Sequence, residues 1–136
     1  MKAVVQEDAT GCGLACVAML AGEPYAAVRE TAAGLGIRPD DPALWSDTAY
    51  VRRLLAHYGI AAVPGETPFT GWDTLPDRAL LATRHHYEQG RPFWHWCVFA
   101  REPGGPEVLD PAPYLAHPRR TDLAAIEPAW FMAVSP

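Results

Sequence analysis

Residues 12–21 read Cys-Gly-Leu-Ala-Cys-Val-Ala-Met-Leu-Ala and contain no charged side chain. A surface helix keeps one polar face, so a stretch that is apolar nearly all round reads as a helix buried within the molecule. It falls well short of the roughly 20 apolar residues that a membrane span requires. The rest of the chain must therefore cover it. With 136 residues, of which 49% are hydrophobic and 20% charged, the sequence holds the apolar material for such a core and has none of the bias of a disordered chain. That length is one domain's worth, and residues 1–136 are expected to form a single domain.

The chain around this helix divides into two halves. Thr10 or Gly11 is placed to cap the start of the buried helix. A second helix is expected from Pro24, suited to a first turn, to about Ala33, with Gly34 and Gly36 ending it. A third is expected from Ser46 to Tyr58, where Tyr50, Val51, Leu54, Leu55 and Tyr58 recur at helical spacing and Gly59 supplies the stop. The second half reads as short strands at Ile60–Val63, Arg78–Thr83, Phe93–Ala100, Glu107–Asp110 and Ala129–Val134. The turn signal Glu102-Pro103-Gly104-Gly105-Pro106 predicts a hairpin over residues 93–110. His85 and His86 are expected in a polar loop before Gly90. Helices first and strands afterwards is the order of an α+β domain, with N-terminal helices packed on a C-terminal antiparallel sheet.

Charge and cysteine content narrow the function. The formal net charge is −5, with 11 Lys and Arg residues and no basic cluster, so nucleic-acid binding through phosphate neutralisation has no support. The N-terminus turns polar too early for a secretory signal. Three cysteines without an export signal read as free thiols in a reducing compartment, which makes the expected location cytoplasmic.

Four residues stand out for their chemistry. Cys12 lies where the loop Asp8-Ala9-Thr10-Gly11 enters the buried helix, and a helix N-terminus favours the thiolate form of a cysteine. Gly11 and Gly13 beside it leave room for a substrate backbone. His95 interrupts the aromatic strand Phe93-Trp94-His95-Trp96-Cys97-Val98-Phe99, where an imidazole must find a partner or face a cleft. The predicted hairpin returns Asp110 to the neighbourhood of His95, where its carboxylate could fix the ring tautomer; an Asp before Pro111 also serves simply to start a turn. Gln6 could aim its amide at a developing oxyanion. Together they supply an oxyanion donor, a nucleophile, a base and an orienting group, in the order Gln, Cys, His, Asp. Cys16, one turn after Cys12, reads as core. A zinc site built from Cys12, Cys16, Cys97 and a histidine is the rival arrangement, but the second half of the chain offers only His95 and Cys97 as a further pair.

The block Gln6-Glu7-Asp8-Ala9-Thr10-Gly11-Cys12-Gly13-Leu14-Ala15 resembles the Gln-x-Asp-x-x-Asp-Cys-Gly-x-Ala pattern of the papain-like peptidase domains that process double-glycine leader peptides in bacteriocin-exporting ABC transporters. His95-Trp96-Cys97-Val98 is similar to that family's His-[Phe/Trp]-Val-Val segment, and Val108-Leu109-Asp110-Pro111 to its Asp-Pro segment. The ending around Trp130 is similar to its closing strand. The resemblance implies a papain-like α+β fold and a thiol peptidase. In it Cys12 would be the nucleophile, His95 the general base and Asp110 its orienting group, with Gln6 sharing the oxyanion hole with the Cys12 backbone N–H. It implies a peptide or protein substrate and neither cofactor nor metal. Gly11 departs from the family, whose exporters commonly carry Asp there. No membrane span and no Gly-rich phosphate-binding motif is present, so a stand-alone relative is expected. The alternative is a catalytically silent peptide-binding module of the same fold.

Overall fold

The computed structural model describes residues 1–135. Three helices, α1 (Cys12–Ala21), α2 (Tyr25–Gly34) and α3 (Ala49–His57), precede seven strands: β1 (Ala61–Ala62), β2 (Thr67–Pro68), β3 (Arg78–Glu88), β4 (Arg91–Glu102), β5 (Gly105–Leu109), β6 (Arg119–Arg120) and β7 (Trp130–Ser135). Every strand pairing is antiparallel, and the sheet order is β1-β7-β3-β4-β5-β6, with β2 also paired to β7. The α+β architecture, helices on one side of an antiparallel sheet, is as the order of segments implies.

Helix α1 is buried along almost its whole length, from Cys12 to Met19. It lies between α2 and α3 and the strand β4, whose Trp96, Val98 and Ala100 share its core with Leu80, Leu109 and Met132. The opposite sheet face carries a smaller core of Ala79, Leu81, Cys97, Phe99, Val108 and Phe131, closed by Leu75 and Ile126 and flanked by Phe69, Trp72 and Leu123. The alternation of β4 between the two cores follows from the two-residue period of a strand.

Boundaries differ from expectation where local hydrogen bonds compete. Pro24 is the residue before α2 rather than in its first turn. Helix α3 begins later than Ser46, because Pro42–Ser46 form a 3₁₀ turn and the Asp47 carboxylate accepts the Ala49 N–H at 2.9 Å. The hairpin over residues 93–110 is present, with Glu102 opposite Gly105.

The expected loop holding His85 and His86 is instead the outer half of β3. That strand continues to Glu88 and pairs with β4 through His86↔Phe93, Tyr87↔Pro92 and Glu88↔Arg91. Gln89 and Gly90, with φ of 53° and 79°, form the two-residue turn, and positive φ at both positions suits the twist of the strands. The register shifts between Thr83 and His86, so that Arg84 and His85 face the single residue Trp94. This is a β-bulge, and Arg84 occupies it at φ 50°.

Candidate active site

Gly11 is the residue before α1, and its carbonyl accepts the first helical bond, from Ala15 N–H at 3.0 Å. No side chain caps the helix. The entering loop is held from outside: Asp8 Oδ2 accepts from the Tyr25 hydroxyl at 2.6 Å and from Arg29 Nε at 3.1 Å. That bond and burial together push the Tyr25 hydroxyl well above its ordinary pKa, burial being the larger cause.

The glycines flanking Cys12 have a structural reason different from the one expected. A Cβ on Gly11 would stand 2.2 Å from the Tyr25 hydroxyl, and one on Gly13 would stand 2.1 Å from that of Tyr50. Two buried tyrosines occupy the space, not an approaching substrate. Tyr25 fills the place that a side chain at position 11 would take.

Cys12 is only 1% exposed. His95 comes to it from β4. The imidazole Nε2 meets Asp110 Oδ1 at 2.7 Å, and the thiols of Cys12 and Cys97 stand close enough to the ring to favour its charged form. Burial is the largest influence on His95 and opposes its charge, but the bond to Asp110 and the nearby Cys12 and Cys97 together outweigh it and raise the pKa well above that of a free histidine. Burial likewise works against the Asp110 charge; the hydrogen bond and charge of His95 overcome it, aided by the Ala112 N–H and Arg84, and hold the carboxyl below its ordinary range. Both shifts favour the imidazolium–carboxylate form of the pair.

Asp110 is also the turn-starting residue of its other reading, since its Oδ1 accepts the Ala112 N–H at 3.0 Å. Both roles belong to one carboxylate. Its Oδ2 faces Arg120 at 3.4 Å and Arg84 at 3.8 Å. Neither arginine carries a signal in the sequence. Arg120 reaches the site through the pairing of β6 with β5, and Arg84 through the bulge. Thr83, also unmarked in the sequence, donates to the His95 carbonyl at 3.1 Å and sits 3.7 Å from Cys97 Sγ.

Gln6 is brought to the same place, with its backbone N–H bonded to the Pro111 carbonyl at 2.9 Å. Its Nε2 donates to the Asp8 and Ala9 carbonyls at 3.0 and 3.2 Å, so both amide hydrogens are engaged within the loop, while Oε1 is buried without a partner. Gln6 and His95 line a cavity of about 340 Å³ whose walls include Trp45, Phe93, Arg84 and Tyr114. Arg84 lies over the Tyr114 ring at 5.1 Å. Gln6, Cys12, His95 and Asp110 thus converge from three stretches of chain: the loop entering α1, β4 and the end of β5.

Cys16 sits in the helical core with no exposed surface, and burial raises its thiol pKa far above the ordinary value, helped by the neighbouring Cys97 and Cys12. The four-ligand zinc arrangement that would use Cys16 is not assembled. The donor cluster among the described residues is His95, Cys97 and Asp110.

No protein-family model matches the chain, and no curated protein matches it. Among solved structures it is similar to the crystal structure of a double glycine motif protease from an AMS/PCAT transporter in complex with the leader peptide. The TM-score is 0.63 at 15% sequence identity, over 99% of this chain and 91% of that one. At that identity the likeness speaks for the fold, which is the α+β fold of that protease. No helix among the described residues is long and apolar enough to cross a membrane.

Proposed function

We propose that this chain, which shares its fold with a protease, is a papain-like cysteine peptidase of a single domain that cleaves peptides by acyl transfer to Cys12. The observation that carries the reading is His95, hydrogen-bonded to Asp110 on one side and close enough to the Cys12 thiol for the two to influence each other. An imidazolium beside a thiol stabilises the thiolate, which is the attacking species. Cys12 Sγ attacks the scissile carbonyl, and the carbonyl oxygen gains the negative charge. His95 then gives its proton to the leaving amine as the C–N bond breaks, leaving a thioester on Cys12. Water attacks the thioester while His95 takes the water's proton, and the carboxylic acid product leaves as the thiolate re-forms. Asp110 keeps the ring oriented through both halves.

The oxyanion is met by the Cys12 backbone N–H at the start of α1, where the helix dipole favours negative charge. Gln6 joins it once its amide turns from the Asp8 and Ala9 carbonyls. The similar solved structure is a double glycine motif protease in complex with a leader peptide, so the first substrate to try is a peptide with two glycines before the scissile bond. Three unpaired thiols agree with a reducing cytoplasm.

A second reading, the silent peptide-binding module, is favoured by the burial of Cys12 and the inward-bonded Gln6 amide. Incubation of a double-glycine peptide with wild type and Cys12→Ala, followed by mass spectrometry, separates the two. The peptidase predicts cleavage that vanishes in a folded Cys12→Ala protein. Cleavage that survives the substitution contradicts it. Equal peptide affinity in both proteins, with no cleavage in either, establishes the module.

A further inference from the structure

The peptidase reading uses His95 and Asp110 but leaves Cys97 without a task, although Cys97 stands against both. A ring nitrogen of His95, the sulfur of Cys97 and a carboxylate oxygen of Asp110 all lie within 4.8 Å of one another. The strand produces this convergence. His95 and Cys97 are two residues apart on β4 and point to the same face, and Asp110 follows Leu109, which pairs with Val98. Tetrahedral zinc sets sulfur, nitrogen and oxygen donors roughly 3.3–3.7 Å apart, so shifts on the order of 1 Å would close the site around an ion. Thiolate with imidazole favours zinc-like cations over magnesium or calcium, which take oxygen donors. Asp110 Oδ2 is turned to Arg84 and Arg120, whereas Oδ1 faces His95, which makes Oδ1 the ligand atom.

We propose that His95, Cys97 and Asp110 form a binding site for a thiophilic divalent cation of the zinc type, with water in the fourth position. Cys97 binds as thiolate and His95 as neutral imidazole, both releasing their protons to solvent, and the thiolate and carboxylate balance the charge of the ion. His95 lines one cavity and Asp110, with Thr83 and Arg84, lines a second, while Cys97 is buried behind them. Metal binding stands independently of the peptidase reading. Its consequence rests on that reading: an ion on His95 and Asp110 removes the proton carrier and silences the enzyme.

Cobalt(II) titration of the purified chain tests the site. One equivalent should give a thiolate-to-cobalt charge-transfer band and tetrahedral visible bands, in wild type and in Cys12→Ala alike, and zinc should abolish them. Both sets should be lost in Cys97→Val. In Cys97→Ser, which keeps the side-chain shape, the charge-transfer band should be lost; circular dichroism confirms that the variants are folded. Absence of bands from wild type, or a charge-transfer band that survives in folded Cys97→Val, overturns the proposal. Cleavage of a peptide by chelator-treated protein that gives no cobalt spectrum defeats the metal site alone. A cobalt spectrum without metal-free cleavage or Cys12 acylation defeats the peptidase reading alone.

Discussion

The two ends of the proposed catalytic pair are held by different physics. At the start of α1 Cys12 is locked by packing: Tyr25 and Tyr50, each 3% exposed, press against Gly11 and Gly13, leaving no space for a side chain. On β4 His95 is held by charge and hydrogen bonds, in a cluster with Asp110, Arg84 and Arg120 next to a bulge and an exposed strand end. The first arrangement tolerates almost no change in volume. The second tolerates changes of shape and little change of charge. In the proposed peptidase the thiol would need a fixed position and its partner would exchange a proton within each turnover, a need that this division between packing and polarity suits.

The comparison predicts an ordered set of effects. Asp110→Ala leaves a buried imidazolium without its counter-charge and should destabilise the protein by about 3–5 kcal/mol, measured by denaturant unfolding. The loss should depend on pH. The raised His95 pKa contributes stability that is full below the unfolded value of about 6.5 and fades as pH climbs toward the folded value. The lowered Asp110 pKa contributes stability above its unfolded value of about 3.9 and loses it as pH falls through the folded value. The difference between wild type and variant should therefore peak between about pH 4 and 6.5 and shrink on either side. A flat difference would mean that charge does not hold this end of the site.

Gly13→Ala should cost about 1–3 kcal/mol through overpacking against the Tyr50 ring, with no dependence on pH over the neutral range. Gly11→Ala should cost somewhat less, because only the Tyr25 hydroxyl would stand within 3 Å of the new Cβ, whereas at Gly13 a ring carbon of Tyr50 does so as well. In a Tyr25→Phe background part of that cost should disappear, and a double-mutant cycle reads the coupling. Additive effects would remove Tyr25 as the reason for the glycine. The smallest change belongs to the outer hairpin. Gln89→Asn, which places Asn-Gly in a turn with positive φ at both positions, should stabilise by about 0.5 kcal/mol and leave Cys12 chemistry unchanged.

Much of this architecture could be read from local pattern. The charge-free stretch from Cys12 to Ala21 identified the buried helix, and the Pro-Gly-Gly-Pro turn identified the hairpin that carries Asp110 back to His95. The outer half of β3 was hidden because Arg84–Glu88 is polar and gains its order from hydrogen bonds to β4 rather than from burial. Two-residue strands such as β6 exist only through pairing with a distant partner, so Arg120 gave no sign of reaching Asp110. The glycines around Cys12 were visible, but their cause was not, since Tyr50 lies far along the chain. The inward bonding of the Gln6 amide is likewise a property of the folded loop.

The central claim is that His95 holds Cys12 in its reactive form, and the rate of Cys12 alkylation by iodoacetamide across pH tests it most directly. Peptide mass spectrometry separates Cys12 from Cys16 and Cys97. Because His95 keeps its charge from mildly acidic to mildly alkaline pH, wild type should label at a nearly level rate over that range. His95→Ala should label slowly at the acidic end and faster as the pH rises. Wild-type and variant profiles that superimpose would contradict the account.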